Sequence, residues 1–184
     1  MKYINQSSWL IVAACSLLML PGCAKKPTDP IAAPENREKQ QGETLAVIVP
    51  GGGTYSRPIS TNSEQTQIFF DQGLRFAWGF YFPESIASYQ QASLEDPTHP
   101  MPYWGMAHAM GPNPNSRYVR MPDDPKGEGF KAISKAKELI GRASPLEAQL
   151  INALFVLYDK ESIFDDNDRD RAYLAAMRGI NRQY

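Results

Sequence analysis

The hydrophobic and polar positions between residues 67 and 97 repeat with the period of an α-helix. Two neighbouring apolar rows run along the first half of this stretch, because side chains three and four positions apart share one helical face. One row holds Phe69, Gly73, Phe76, Ala77 and Phe80, and the other holds Phe70, Leu74 and Trp78. A helix with so much apolar surface is stable only when it packs against other elements.

A second helix is predicted after Pro83. Proline is favoured in the first turn of a helix, and Glu84 follows at a position where the helix dipole favours an anion. Asp96 and Pro97 end this helix, because proline cannot continue one. Gly73 has no side chain and lets the two helices approach closely, so the stretch is predicted to form a helix hairpin.

The hairpin resembles the tetratricopeptide repeat, a pair of helices about 34 residues long. The large, small, aromatic and proline positions of that motif are matched by Phe69, Gly73, Phe76, Ser85, Tyr89, Ala92 and Pro97, although Ser85 stands where the motif usually has alanine. The same rhythm of large and small residues returns one repeat later at Tyr103, Ala107 and Met110. The resemblance implies an all-α fold of TPR-like helical hairpins, an α-solenoid of about three helix pairs over residues 61–184.

Signals at helix ends support further helices downstream. Residues 61–64 have the spacing of a capping box headed by Thr61, and the helix that contains residues 101–110 stops at Gly111. Apolar residues face lysines in a helix over residues 130–140, and Ser144 caps another that starts with Pro145. A last helix is predicted over residues 171–180. No polar cap follows it, so we expect either a longer array or a partner over the terminal face.

The N-terminal segment is typical of an exported lipoprotein. Residues 1–22 combine Lys2 with a short apolar run, which indicates a signal peptide rather than a membrane span. Leu20-Pro-Gly-Cys23 resembles a bacterial lipobox, which implies acylation of Cys23 and an anchor in the outer membrane, facing the periplasm. A plain secretory signal with an incidental cysteine is the alternative. Residues 23–60 are then predicted to form a lipid-anchored flexible linker and an arm.

Composition and spacing remove several classes of function. The formal net charge is −1 at pH 7, which gives no electrostatic reason to expect nucleic acid. Both cysteines lie near the N-terminus, at positions 15 and 23, and His99 and His108 have no cluster of further ligands around them. We expect no metal, no cofactor and no catalysed reaction, because no catalytic motif is found.

An acidic run near the C-terminus has the alternating start of a calcium-binding loop. It places Asp166, Asp168 and Asp170 at every second position. Arg171 stands where such a loop requires glycine, and Met177 stands where it requires a bidentate glutamate. The run is therefore interpreted as a helix start.

The resemblance also implies a binding groove, because the first helix of each repeat lines the concave face in that family. The positions that contact ligands in the family correspond to Gln67, Phe70, Leu74, Ala77, Trp78, Met101, Trp104 and His108. Aromatic side chains give a large contact area at low entropic cost, which suits a protein or peptide partner in the cell envelope. The alternative is that these rings belong to the core and that the arm or a long loop fills the groove.

Residues 111–127 form an unusually long connection and offer a different site. The connection carries Asn113, Asn115, Arg117, Tyr118 and Arg120. Loops of more than about 12 to 15 residues are usually functional or disordered. Two arginines so close together are suited to binding a carboxylate or a phosphate. The alternative function is therefore a small-molecule binding protein for an anionic solute, or an enzyme subunit, with its site at this loop.

Overall fold

The computed structural model describes residues 44–111 and 121–184, and the regular structure in these ranges is entirely helical. It consists of six α-helices and one 3₁₀ turn, which confirms the all-α prediction for this part of the chain. The helices are α1 (Glu64–Trp78), α2 (Phe82–Glu95), α3 (Pro100–Met110), α4 (Pro125–Glu138), α5 (Pro145–Tyr158) and α6 (Asp166–Gln183), and the 3₁₀ turn covers Ile140–Arg142.

The helix ends follow the capping chemistry of the sequence, with three differences. Helix α4 begins at Pro125 and not near residue 130, because the Asp124 side chain accepts from the N–H of Gly127, so the connection before it is shorter than predicted. The predicted capping box at Ser144 is present in full, including the return bond from Glu147. The N-cap of α1 is Ser63 and not Thr61, whose hydroxyl accepts from the N–H of Ser63 at 3.1 Å and donates to Asp96 at 3.0 Å. Helix α6 begins five positions before the predicted start, at Asp166, because the Asp165 side chain accepts from the N–H of Asp168.

Successive helices pack on one another, and α3 also contacts α1 and α5. Tyr89 of α2 shows why small residues are needed at these crossings. Its ring is fully buried, and a Cβ atom on Gly73 would lie 2.7 Å from it. Gly105 of α3 faces the same ring at even closer range. The two glycines therefore allow α1 and α3 to close on α2 from two sides.

Helix α3 lies at the centre of the core. Nine of its eleven residues are buried, and two side-chain bonds tie it to α5. The indole N–H of Trp104 donates to the carbonyl of Leu150 at 3.2 Å, and the Tyr158 hydroxyl donates to the carbonyl of Ala107 at 2.6 Å. Both polar groups are thereby satisfied inside the core.

Residues 44–60 form an arm without regular structure that lies against α1 and α2. The predicted signal peptide (1–22), Cys23 and most of the predicted linker lie outside the described residues, and so does the loop from Pro112 to Arg120. Across the two described ranges, no helix is long and apolar enough to cross a membrane.

Candidate interaction surface

The structure places four of the predicted groove residues in the core. Phe70 and Met101 are fully buried, and Leu74 and Trp104 are almost so, which leaves them no surface for a partner. Ala77 is buried as well. The prediction that these side chains line an open groove is therefore wrong, and the alternative that they are core is correct. Their row packs against neighbouring helices, and periodicity alone does not distinguish such a row from a ligand-binding one.

The remaining groove residues are separated from one another. Gln67 is engaged by the arm, and His108 is exposed with its ring stacked on Trp104 at 5.2 Å between centroids. Trp78 is 72% exposed at the end of α1, where its ring meets Tyr55 of the arm edge-on at 6.5 Å. Only Trp78 and His108 of the predicted set thus present an aromatic ring to solvent.

Two glutamine side chains form the hydrogen bonds to the arm backbone that a neighbouring β-strand would otherwise form. The amide of Gln72 donates to the carbonyl of Val47 at 3.0 Å and accepts from the N–H of Val49 at 2.8 Å. The amide of Gln67 likewise donates to the carbonyl of Arg57 and accepts from the N–H of Ile59, each at 2.9 Å. Each amide therefore bridges the carbonyl of one residue and the N–H two positions on, a pattern that requires extended backbone.

The second half of the arm runs antiparallel to α1. Arg75 donates to the carbonyl of Tyr55 at 2.9 Å, Asp71 accepts from the N–H of Arg57 at 2.9 Å, and Gln67 binds Ile59. Four helical residues rise about 6 Å and two extended residues span about 6.6 Å, so the two spacings match along three contacts. Asp71 and Gln72 are buried polar residues satisfied by this arrangement. The arm is thus an integral part of the helical core and occupies the surface that α1 offers to an extended peptide.

A buried polar cluster fastens the end of the arm to α3 and α5. Glu147 accepts from the backbone N–H groups of Ser60 at 2.7 Å and Ser144 at 2.6 Å, and from the Ser60 hydroxyl. The second ring nitrogen of His99 lies 3.2 Å from the same hydroxyl. Although burial raises the pKa of Glu147, these hydrogen bonds together lower it. Burial lowers the pKa of His99, against the opposing effect of the Glu147 carboxylate.

The donor and acceptor roles in this cluster indicate a structural function rather than a catalytic one. Nδ1 of His99 accepts from the N–H of Met101 at 3.3 Å and caps α3, which leaves the proton of the neutral ring on Nε2. His99 therefore donates to Ser60, and Ser60 donates to Glu147. An activated serine needs a free basic nitrogen to take its proton. Here the serine donates to a carboxylate of lowered pKa, so the cluster serves to hold the arm.

The connection from α1 to α2 has the hydrogen bonds of a Schellman motif. The N–H of Tyr81 donates to the carbonyl of Phe76 at 2.9 Å, and the N–H of Phe80 donates to the carbonyl of Ala77 at 3.1 Å. The rings of Tyr81 and Phe76 are 6.2 Å apart, which is the apolar contact that usually accompanies the motif. Phe80 occupies the left-handed position with φ 63°, where glycine is the common residue.

Phe80 and its neighbours form an exposed aromatic surface, which we call the aromatic corner. It consists of Tyr55, Trp78, Phe80 and Tyr81, exposed by 52%, 72%, 54% and 61%. A bulky side chain in left-handed conformation costs about 1–2 kcal/mol, and such strain concentrates at functional positions. The conformation turns the chain between α1 and α2 within Gly79, Phe80 and Tyr81.

A cleft of about 440 Å³ lies between the start of α4, the end of α5 and the start of α6. Its charged lining residues are Asp124, Lys126, Asp159, Lys160, Glu161, Asp166, Arg169 and Asp170. Arg169 is buried, pairs with Asp166 and donates to the carbonyl of Phe164 at 2.8 Å, so its charge is already engaged. The described lining is therefore acidic in balance and does not favour an anion.

The alternative site falls outside the described residues. Asn113, Asn115, Arg117, Tyr118 and Arg120 all lie between the two described ranges. Their assignment to an anionic solute stays a prediction. The described end of this connection, from Met121 to Asp124, leads into α4 beside the cleft.

The acidic run at the start of α6 caps and pairs within its own helix. Asp165 is the N-cap, Asp166 pairs with Arg169, and Asp168 pairs with Arg171. Within residues 44–111 and 121–184, no group of three or more acidic, histidine or cysteine residues is arranged to hold a metal ion.

Sequence reasoning missed three members of the aromatic corner. Phe80 and Tyr81 belong to the run Trp-Gly-Phe-Tyr-Phe-Pro between two helices. Connections of this kind usually carry small and polar residues, so a run of large aromatic residues was a signal for an exposed apolar surface. Tyr55 carried no comparable signal, because its contact with Trp78 depends on how the arm folds back.

Comparisons with known proteins identify no relative of this chain. No family model matches the chain, and neither the curated proteins nor the solved structures include a significant match.

Proposed function

We propose that this protein is a lipid-anchored helical-repeat scaffold of the bacterial cell envelope that binds a protein or peptide partner through the aromatic corner. The observation that carries the proposal is Phe80, a large aromatic residue in left-handed conformation with half of its surface in water. Local geometry does not favour phenylalanine there, since glycine serves the motif at lower cost, and an edge contact with the Phe82 ring at 6.2 Å buries only part of the side chain. Contact with a partner gives the side chain a role that offsets this cost.

Size and residue type at the corner also suit protein recognition. Tyrosine and tryptophan are enriched at the energetic centres of interfaces, because they bury large areas and lose little rotamer freedom. Trp78 and Tyr81 each keep most of their surface exposed on either side of Phe80. Three such neighbouring side chains exceed the scattered apolar exposure of an ordinary surface.

The TPR-like repeat belongs to this proposal, and packing supports it. Helix α3 contacts both α1 and α5, while each even-numbered helix packs on its neighbours along the chain, as in stacked hairpins. The motif positions Ser85, Tyr89 and Ala92 are fully buried at these contacts. In α6, only Arg169 and Ile180 are buried, while Leu174 is exposed, which suits an array that continues or receives a cover.

The binding surface of the proposal differs from the groove expected in this family. The arm occupies the accessible side of α1, and both the carbonyl and N–H groups of its backbone satisfy buried side chains there. A partner that displaced the arm would have to replace these bonds. The aromatic corner needs no displacement, because its rings are already exposed.

The lipid anchor of the proposal rests on the Leu-Pro-Gly-Cys sequence at positions 20–23. Several acyl chains on Cys23 would hold the protein stably on the membrane, since each buried methylene adds about 0.8 kcal/mol. Ala24 after the cysteine favours the outer membrane, and the segment up to the arm would keep the helices away from the lipid surface. Cys23→Ala is expected to release the protein from the membrane fraction, and the wild-type mass should include the acyl groups.

Affinity capture from the native envelope after cross-linking tests the binding proposal. We expect the wild-type protein to retain a specific partner and the Trp78→Ala/Tyr81→Ala variant to lose it. The matched control is Phe164→Ala/Leu174→Ala, which removes two exposed apolar side chains elsewhere. Equal capture by all three proteins would refute the aromatic corner as the binding surface.

A further inference from the structure

The first half of the arm has one backbone edge against the helices and one edge facing away. Leu45 donates its N–H to Gln91 at 2.8 Å, and Val47 and Val49 are bridged by Gln72. In extended backbone, the N–H and C=O of alternate residues point to opposite sides. The peptide groups of Ala46 and Ile48 therefore point away from the helices, and no described backbone or side-chain group bonds them.

This free edge has no feature that prevents pairing with another strand. Proteins protect exposed edges with lysine, proline or a bulge. Residues 45–49 read Leu-Ala-Val-Ile-Val, carry no charge and are rich in β-branched side chains, which favour strands. Val47, Ile48 and Val49 are all exposed. Pro50 and the turn at Gly51, with φ 86°, end the segment abruptly after Val49.

We infer that residues 45–49 pair in antiparallel fashion with the same residues of a second copy of this chain. The free groups lie symmetrically on either side of Val47, so a two-fold axis at Val47 places Ala46 opposite Ile48 of the second copy. Each of these two opposed pairs exchanges both of its N–H···O=C bonds. The four free N–H and C=O pairs of the two chains are then satisfied without moving the arm from its glutamines.

Sequence and charge favour a second copy over an unrelated strand. The segment is its own complement in this register, and without charges it brings no like-charge repulsion. So short a strand pair is weak by itself. If the lipid anchor proposed above holds both copies on one membrane, their effective concentration rises and favours pairing. The inference about register is independent of the anchor and of the aromatic corner.

Cysteine scanning of the full-length anchored protein tests the pairing and its register. Val47 faces Val47 of the second copy in a pair without hydrogen bonds, where the Cα atoms lie about 4.5 Å apart, within disulfide range. Val47→Cys is therefore expected to give a disulfide-linked dimer under mild oxidation. Val49→Cys is the matched control, because Val49 faces Leu45 and the two introduced thiols lie more than about 7 Å apart. The unmodified protein measures any background linkage that does not come from the introduced thiols.

A mixture of Leu45→Cys and Val49→Cys proteins is expected to link only as a heterodimer. Ala46→Pro removes an outward N–H and leaves the bonds to Gln72 and Gln91 in place. It is expected to weaken dimerisation by about tenfold or more, measured by sedimentation in detergent. A monomeric protein, equal linkage of Val47→Cys and Val49→Cys, or linkage of Val49→Cys alone would overturn the proposal. None of these outcomes depends on Trp78 or Tyr81, so they are distinguishable from failure of the proposed function.

Discussion

The Glu147 carboxylate binds Ser60, 87 positions earlier in the chain, through both the backbone N–H at 2.7 Å and the hydroxyl. It also accepts from Ser144, and only 4% of Glu147 is exposed. This contact joins the end of the arm to the first turn of α5. A buried carboxylate that accepts several hydrogen bonds is stable there, whereas a group of different hydrogen-bonding capacity is not.

Glu147→Gln is expected to lower the free energy of unfolding by about 2–3 kcal/mol, because the amide NH₂ would face an N–H donor. Urea unfolding followed by circular dichroism measures the loss. Glu138→Gln is the control, since Glu138 is exposed and pairs only with Lys135 at the surface, a contact worth less than about 1 kcal/mol. Equal loss in both variants would contradict the fastening role of Glu147.

The free energy of unfolding is expected to decrease as the pH is lowered below 6.5, the ordinary pKa of histidine. Because the folded pKa of His99 is lowered, the unfolded chain binds its proton first, and the free energy of unfolding decreases as pH falls towards the folded pKa. The lowered pKa of Glu147 adds a second loss below its ordinary pKa of 4.5. Desolvation lowers the pKa of His108 as well, so unfolding curves between pH 7 and pH 5 contain a contribution from each histidine.

His99→Asn provides the matched variant for this pH effect, because asparagine keeps the N-cap of α3 but does not titrate. Its stability should vary less between pH 7 and pH 5 than that of the wild type. His108→Asn should also reduce the slope, because desolvation lowers the pKa of His108, and the two reductions should add in the double variant. A His99→Asn variant with the full wild-type slope would contradict a contribution from His99.

The sequence contained most of the fold and little of the site. Caps such as Ser144 and glycines such as Gly73 act locally, so helix positions followed from nearby residues. Whether Phe70 and Trp104 are buried or exposed depends on which helix packs over them. Contacts between residues far apart in sequence determine that packing. The bonds from Gln72 to the arm likewise join residues 23 and 25 positions apart and have no periodic signature. The spacing predicts Phe80 on the helical face, whereas it lies beyond the end of α1 in left-handed conformation.

Gly105→Ala is expected to destabilise the protein by about 1–3 kcal/mol, since the added methyl group would overlap the buried ring of Tyr89. Thermal unfolding gives the size of the effect. Gly141→Ala is the comparison, because a Cβ atom there meets nothing within 4 Å. A neutral Gly105→Ala variant would mean that α2 and α3 do not pack as closely as described.

Phe80→Gly separates the cost of the left-handed residue from its proposed role. Relief of about 1–2 kcal/mol of backbone strain offsets the loss of a half-buried ring, so stability should change by less than about 1 kcal/mol. Phe82→Ala, at a buried ring two positions on, should cost about 3–5 kcal/mol. Binding of the partner should fall sharply in Phe80→Gly. Full binding by a stable Phe80→Gly protein would remove Phe80 from the surface.

Site-specific photo-cross-linking in the native envelope tests partner binding at the aromatic corner most directly. A photoreactive phenylalanine analogue replaces Phe80 in one protein and Phe164, which is 93% exposed, in a control. We expect position 80 to give a discrete adduct with a protein partner and position 164 to give none. No adduct from position 80, or the same adducts from both positions, would contradict the proposal that this corner is where the protein binds its partner.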